Sequence, residues 1–289
     1  MTTYGTALPM YSIHGYTENF YKVVAWKRSP LSGCFLSADE HEHYEEKLSN
    51  SFSRARSVVL QLALCNPWDY FFTGTLDEKK VGSRFDLVRY HTRFMQWIRD
   101  KRKEYGCRFD VLLVPEHHKD GAWHIHGLVR GLPDSVLGDF PENAPRHLRE
   151  GDFLNWPDYM EKFGWCSLAP IRDPIRCSFY LCKYVSKDLS QRAGETGAHL
   201  YWASRPLKRA QHVSDVYAPT PYLDRCCDRE YEFCKTGFVS AEWTFPYTFA
   251  YSEVIGETPL DPPAPVDPLD GFDPRTIDPF YEQASLFTS

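Results

Sequence analysis

Between Phe85 and Tyr105 the apolar residues Leu87, Tyr90, Phe94, Trp97 and Ile98 fall three and four apart, the spacing that lines one face of an α-helix. Its last turns carry Arg99, Lys101, Arg102 and Lys103, and Gly106 stands where a C-terminal cap belongs. A helix with one apolar stripe needs a surface to cover, and the flanking residues supply it as strands. Tyr70–Leu76 (YFFTGTL) precedes the helix. Val111–Pro115 (VLLVP) and Trp123–Val129 (WHIHGLV) follow, joined as a hairpin across Lys119-Asp120-Gly121. A further strand is expected near Gly164–Ile171, after a loop from Gly131 to about Trp156. Asp173-Pro174 then opens a helix, with Asp as N-cap and Pro at the first helical position, running to about Leu189. Upstream, Ser53–Leu64 reads as a helix stopped by Asn66-Pro67-Trp68. Strand, helix, hairpin, strand and helix make an α+β pattern built on an antiparallel sheet.

The 289 residues divide by composition. Residues 1–50 are aromatic and polar without clear period and read as an N-terminal extension; 51–215 hold the α+β pattern; 216–250 form a C-terminal extension; 251–289 are proline-rich and acidic and are expected to be disordered. The whole-chain charge of −6 hides an asymmetry. From Ala218 onward 13 acidic residues face four basic ones, a balance of −9, which leaves the body at +3. Nucleic-acid binding is therefore compatible with the body and not excluded by the total.

Several classes are disfavoured. No apolar run approaches the roughly 18 residues of a membrane span. Met1–Asn19 has neither a basic start nor an apolar centre, so no secretory signal is expected and the cytoplasm is the expected location. No G-x-x-x-x-G-K-[ST] sequence is present, so no nucleotide cofactor is expected. The nine cysteines are mostly scattered and read as small apolar residues; Cys226, Cys227 and Cys234 with His212 lack the Cys-x2-Cys pair of a zinc site. His41-Glu42-His43 lacks the spacing of a His-Glu-x-x-His metallohydrolase and reads as a charged surface stretch.

The segment Glu116-His117-His118-Lys119-Asp120-Gly121-Ala122-Trp123-His124-Ile125-His126 carries the first chemistry. His124 and His126 are two apart on an expected strand and share a face, while Ile125 points to the other. The turn brings Glu116 back beside them. Two imidazoles and a carboxylate leave coordination positions open and suit Mg, Mn or another divalent ion placed to polarise a phosphate oxygen. His117 and His118 read as solvated edge residues.

The second constellation is a doubled Tyr-x-x-Lys: Tyr180 with Lys183 and Tyr184 with Lys187. On one helix the two tyrosines lie a turn apart, with the lysines in a neighbouring row. A phenol has an ordinary pKa of about 10 and is a poor nucleophile near neutrality. An ammonium group and a metal ion both favour its phenolate.

Taken together, FFTGTLD (Phe71–Asp77), WHIHGLV with Glu116 eight residues before the first histidine, and YLCKYVSK (Tyr180–Lys187) resemble the three motifs of the HUH endonucleases. The chain is similar in particular to rolling-circle replication initiators of bacterial plasmids, single-stranded DNA phages and related integrated elements. ARSVVLQLALCNPWDYFFTGTLD and LYWASRPLKRA strengthen the likeness, which covers about residues 51–210. The resemblance implies a ferredoxin- or RRM-like antiparallel sheet. It implies metal ligands at Glu116, His124 and His126, a nucleophile at Tyr180 or Tyr184, and assistance from Lys183 or Lys187. It also implies a nick leaving a 5′-phosphotyrosine and a free 3′-OH, with Mg or Mn as cofactor. The expected substrate is single-stranded or extruded origin DNA, and host helicase, polymerase and single-strand-binding protein are the expected partners in a bacterial cell. DNA contacts are expected at Arg54, Arg56, Thr73, Thr75, Arg99, Lys101, Arg102 and Lys103. Two departures stand out: Gly74 occupies a position where relatives often carry a larger apolar residue, and no helicase domain follows. The alternatives are a relaxase or transposase of the same chemistry and a non-catalytic nucleic-acid-binding module. The tyrosines follow the histidines here, whereas relaxases usually place the tyrosine first.

Overall fold

The computed structural model describes residues 10–27, 51–118, 120–185, 199–217, 220–231, 233–241 and 263–279. The chain divides into two compact units, one of residues 1–50 with 208–268 and one of residues 51–207 with 269–289.

The first unit begins with β1 (Tyr11–Thr17) and β2 (Phe20–Trp26), a hairpin in which Thr17 pairs with Phe20. Residues 1–50, read from sequence as an extension without period, thus contain two strands. Their buried positions do not alternate cleanly, because a register shift between Gly15 and Thr17 breaks the period of two.

The second unit opens with α1 (Ser51–Leu64), then β3 (Tyr70–Gly74), a short α2 (Glu78–Val81) and α3 (Leu87–Glu104). The Asp86 carboxylate caps α3 by accepting from the Arg89 N–H at 2.9 Å. Gly106 follows its end at a φ of 62°, the left-handed conformation that favours glycine. The five residues of the apolar stripe are all buried. Next come β4 (Asp110–His117) and β5 (Trp123–Arg130), a hairpin in which Glu116 pairs with His124 and Val114 with His126. The long loop holds two short helices, α4 (Arg146–Arg149) and α5 (Pro157–Lys162), before β6 (Cys166–Pro170). Then α6 (Pro174–Leu181) starts with the Asp173 carboxylate accepting from the Arg176 N–H at 3.0 Å. The helix stops being α-helical earlier than expected. From Cys182 to Tyr184 it tightens into a 3-10 turn, and Val185 is no longer helical. A short β7 (Trp202–Ala203) closes the sheet, whose order is β6–β3–β5–β4–β7. Every strand pair in it is antiparallel. The order β3, α3, β4, β5, α5, β6 is the β-α-β-β-α-β arrangement of ferredoxin-like folds, and the α+β expectation is borne out.

The two faces of this sheet carry different layers. Phe72 packs edge-on against Tyr159 of α5, which also meets Phe94 of α3. The neighbours Phe71 and Thr73 point the other way, and there Phe71 packs against Tyr180 of α6. Gly74 has a physical reason on the Tyr159 side: a Cβ there would stand 2.5 Å from the Tyr159 hydroxyl and 2.7 Å from the Phe72 ring. On that side Asp158 accepts from Tyr105 at 2.6 Å and pairs with Lys101 at 2.6 Å.

The chain then returns to the first unit as β8 (Gln211–Val216), α7 (Pro221–Arg225), β9 (Arg229–Glu230) and β10 (Cys234–Ser240). Its sheet runs β8–β1–β2–β10–β9, over a small core that includes Ile13, Val23, Leu223, Cys226 and Val239. The N- and C-terminal extensions are thus parts of one sheet. Of the stretch 251–289 expected to be disordered, residues 263–279 are described and hold a 3-10 turn, Pro274–Thr276. Ile277 and Asp278 are buried, 5% and 0% exposed. Composition misjudged this piece because a few apolar anchors, Leu269, Phe272 and Ile277, suffice to dock it.

Candidate catalytic site

The hairpin register brings the histidine motif together. On β4 and β5, Glu116 faces His124 and lies one pair along from His126. Glu116 Oε2 accepts from His126 Nε2 at 2.9 Å and from His118 Nε2 at 3.0 Å. His118 in turn stacks on His124 with ring centroids 3.7 Å apart. His118 is therefore not the solvated edge residue expected from sequence. Strand alternation places it on the same face as Glu116, two residues away, and that spacing was the signal available. His117 points elsewhere, edge-on to Trp123 at 4.7 Å.

Electrostatics follows from this packing. Burial pushes the Glu116 carboxyl upward, but the hydrogen bonds from His118 and His126 outweigh it and hold the group well below the carboxylate range. His124 is lowered to about 3, first by burial and then by repulsion from His118 and His126. A neutral imidazole is the ligand form of histidine. One carboxylate and three imidazoles suit a divalent ion by donor type. As they stand, these side chains bond to one another, and among the described residues no three of His, Cys, Asp or Glu are spaced around a common point.

The tyrosines arrive from α6 and its 3-10 extension. The tightened turn, rather than a regular helical ladder, lets the Tyr180 and Tyr184 hydroxyls meet at 2.7 Å. The Tyr184 ring lies flat on His126, with centroids 3.6 Å apart and planes 2° from parallel. Tyr180 and Tyr184 are both buried. Burial raises both phenols well above 10, and the negative charge of Asp278 raises them further. Lys183 is exposed, with its Nζ 5.6 Å from the Tyr180 ring centroid. Lys187 lies outside the described residues.

The DNA-contact expectations separate by position. Thr73 is fully buried at the site, its Oγ1 3.4 Å from His126 Nδ1. Thr75 donates to the Trp165 carbonyl at 3.0 Å and ties β3 to the start of β6. Arg54 and Arg56 are exposed on α1. Lys101 is held by Asp158 and Glu104. Arg102 donates to the Phe109 carbonyl at 2.7 and 2.9 Å and to Ser204 Oγ at 2.8 Å. Both are fold-holding groups rather than free cations. Arg99 and Lys103 are exposed, but α3 covers the sheet face opposite the tyrosines. The basic end of that helix therefore sits away from the site.

Asp278 is the residue that sequence reasoning missed. Its carboxylate accepts from Tyr184 at 2.5 Å and from Tyr180 at 3.0 Å. No motif announces it, because it lies 94 residues beyond the nearer tyrosine.

Residues 69–189 match the family model of the ORF2-type replication-associated proteins, in line with the resemblance to rolling-circle replication initiators drawn from the motifs. No curated protein and no solved structure gives a match. Among the described residues no helix is long and apolar enough to cross a membrane.

Proposed function

We propose that the second unit, residues 51–207 with 269–289, is a metal-dependent endonuclease and strand transferase that nicks and rejoins single-stranded DNA at a rolling-circle origin. The observation that carries this reading is the stack of Tyr184 on His126, with Tyr180 Oη 2.7 Å from Tyr184 Oη and Glu116 hydrogen-bonded to His126. The match of residues 69–189 to a replication-associated family supports it.

Glu116, His124 and His126 would hold Mg or Mn, with His118 beside them. When bound, such an ion supplies Lewis-acid stabilisation of charge on the scissile phosphate. The chain's own groups supply the rest. A tyrosine Oη attacks phosphorus, the bond from phosphorus to the 3′ oxygen breaks, and the departing oxygen takes up a proton to become a 3′-OH. The phenolic proton leaves as the new phosphotyrosine bond forms. Lys183, close to the Tyr180 ring, favours the phenolate by its charge. The second tyrosine, or a returning 3′-OH, then attacks the phosphotyrosine and restores a phosphodiester. The bond energy is conserved, so no nucleotide cofactor is required. Extension of the 3′ end and strand separation fall to a host polymerase, helicase and single-strand-binding protein.

Covalent trapping tests the reading. The protein is incubated with single-stranded DNA from its own gene neighbourhood and Mn, and a DNA-shifted band is sought on a denaturing gel. A metal-dependent adduct that is lost in the Tyr180→Phe/Tyr184→Phe double variant supports it. Measurable DNA binding with no adduct on any strand favours a non-catalytic binding module.

A further inference from the structure

In-line attack on a phosphodiester needs the phenol oxygen and phosphorus about 3–3.5 Å apart, with nothing between them. In this structure that space is taken. The Asp278 side chain is fully buried. Its Oδ2 accepts from both tyrosine hydroxyls, at 3.0 Å from Tyr180 and 2.5 Å from Tyr184, and lies 3.6 Å from His126 Nδ1. Its Oδ1 accepts from Thr73 Oγ1 at 3.5 Å.

The carboxylate is delivered by a built turn. Asp273 begins the 3-10 turn by accepting from the Arg275 N–H at 3.0 Å, and the Asp278 N–H donates to the Pro274 carbonyl at 2.9 Å. Phe272 packs 5.6 Å from the Tyr180 ring, and Ile277 enters the core. A carboxylate offers two oxygens sharing one negative charge. A phosphodiester likewise offers two non-bridging oxygens sharing one negative charge. The donors gathered here, two phenols, a threonine hydroxyl and an imidazole, are what either group would use.

We propose that residues 269–278 are a built-in competitor for the scissile phosphate, with the Asp278 carboxylate in the phosphate's place, so that single-stranded DNA must displace this segment before either tyrosine reacts. The inference rests on the nuclease reading above. The rival role for Asp278 is proton acceptor for the attacking phenol. Against it, a single carboxylate oxygen engages both hydroxyls at once and both rings are buried beneath the segment, which leaves phosphorus no approach to either oxygen.

The experiment uses the full chain with Asp278→Ala, Asp278→Asn and, as a variant that loosens the segment without changing its charge, Phe272→Ala. Two quantities are measured: affinity for a fluorescent single-stranded oligonucleotide without metal, by anisotropy, and the rate of covalent adduct formation with Mn. Asp278→Ala is expected to bind about tenfold more tightly, the scale of one removed charge repulsion at a partly buried site, and to form adduct faster. Asp278→Asn and Phe272→Ala are expected to fall between it and the parent. A synthetic peptide of residues 269–279 should compete with the oligonucleotide for Asp278→Ala. Unchanged or weaker affinity in all three variants overturns the proposal. So does tighter binding with adduct formation below the parent's, which would make Asp278 a catalytic proton acceptor. Tighter binding with no adduct from any protein, the parent included, leaves the competitor standing and removes the nuclease reading instead.

Discussion

The imidazole of His126 and the phenol of Tyr184 lie parallel, their centroids 3.6 Å apart. One ring belongs to a central strand and the other to the turn that follows α6, so the stack joins the histidine motif to the tyrosine motif directly. It also separates two roles of Tyr184, packing through its ring and chemistry through its hydroxyl. Tyr184→Phe keeps the ring and removes one donor to Asp278, and is expected to cost about 1–2 kcal/mol of stability. Tyr184→Ala empties a buried aromatic site and is expected to cost about 3–5 kcal/mol. Urea denaturation of the two variants checks this difference.

Of the two tyrosines, each single phenylalanine variant is expected to retain some adduct if the hydroxyls act alternately, and the double variant none. A single variant that abolishes the adduct by itself identifies one obligatory nucleophile. The denaturing gel reads either result.

Glu116 is held by two imidazoles, and His118 acts by positioning it. His118→Ala is expected to weaken Mn binding about 10–100-fold, the usual range for a group that orients a ligand. Glu116→Ala and His126→Ala are expected to remove it. Isothermal titration calorimetry with Mn measures all three, and equal affinity in His118→Ala and the parent would refute the positioning role.

Gly74 leaves the space that the Tyr159 hydroxyl fills. Gly74→Ala is expected to destabilise by about 1–3 kcal/mol through overpacking. Adding Tyr159→Phe removes one of the two clashing groups and should recover part of the loss, which a double-mutant cycle on urea midpoints detects.

The Lys101–Asp158–Tyr105 cluster predicts an acid limb. Burial pulls Asp158 upward, but hydrogen bonds from Lys101 and Tyr105 outweigh it, so its folded pKa is lowered. A lowered carboxyl contributes stability that is present above the unfolded value of about 3.9 and is lost as pH falls through the folded value. Asp158→Asn should therefore lower the urea midpoint near neutrality and flatten its decline on the acid side. A midpoint curve parallel to the parent's would contradict the assignment.

The helix 87–104 was legible because its five apolar residues needed only local spacing to declare a face, and its cap at Asp86 follows from the same chemistry. The pairing of Glu116 with His124 was legible because an Asp-Gly turn sets the register of so short a hairpin. The first sheet was not, since β1 and β2 find their neighbours β8 and β10 about 200 residues away, and nothing local in Tyr11–Trp26 announces them. Basic residues on α3 misled because charge alone does not say which face of a sheet a helix covers. Lys101 and Arg102 are tied to Asp158 and to the Phe109 carbonyl. Asp278 escaped for a related reason, its surroundings being assembled entirely by tertiary contact.

The second unit is discontinuous in sequence, interrupted by residues 208–268. A ribosome therefore releases Glu116, His126 and both tyrosines well before it makes Asp278. Domains form from their N-terminal portions during synthesis at about 5–20 residues per second, so for several seconds the nascent chain holds the tyrosines without their cap. A transcript broken between the codons for Leu207 and Asp278 would yield a polypeptide permanently in that uncapped state.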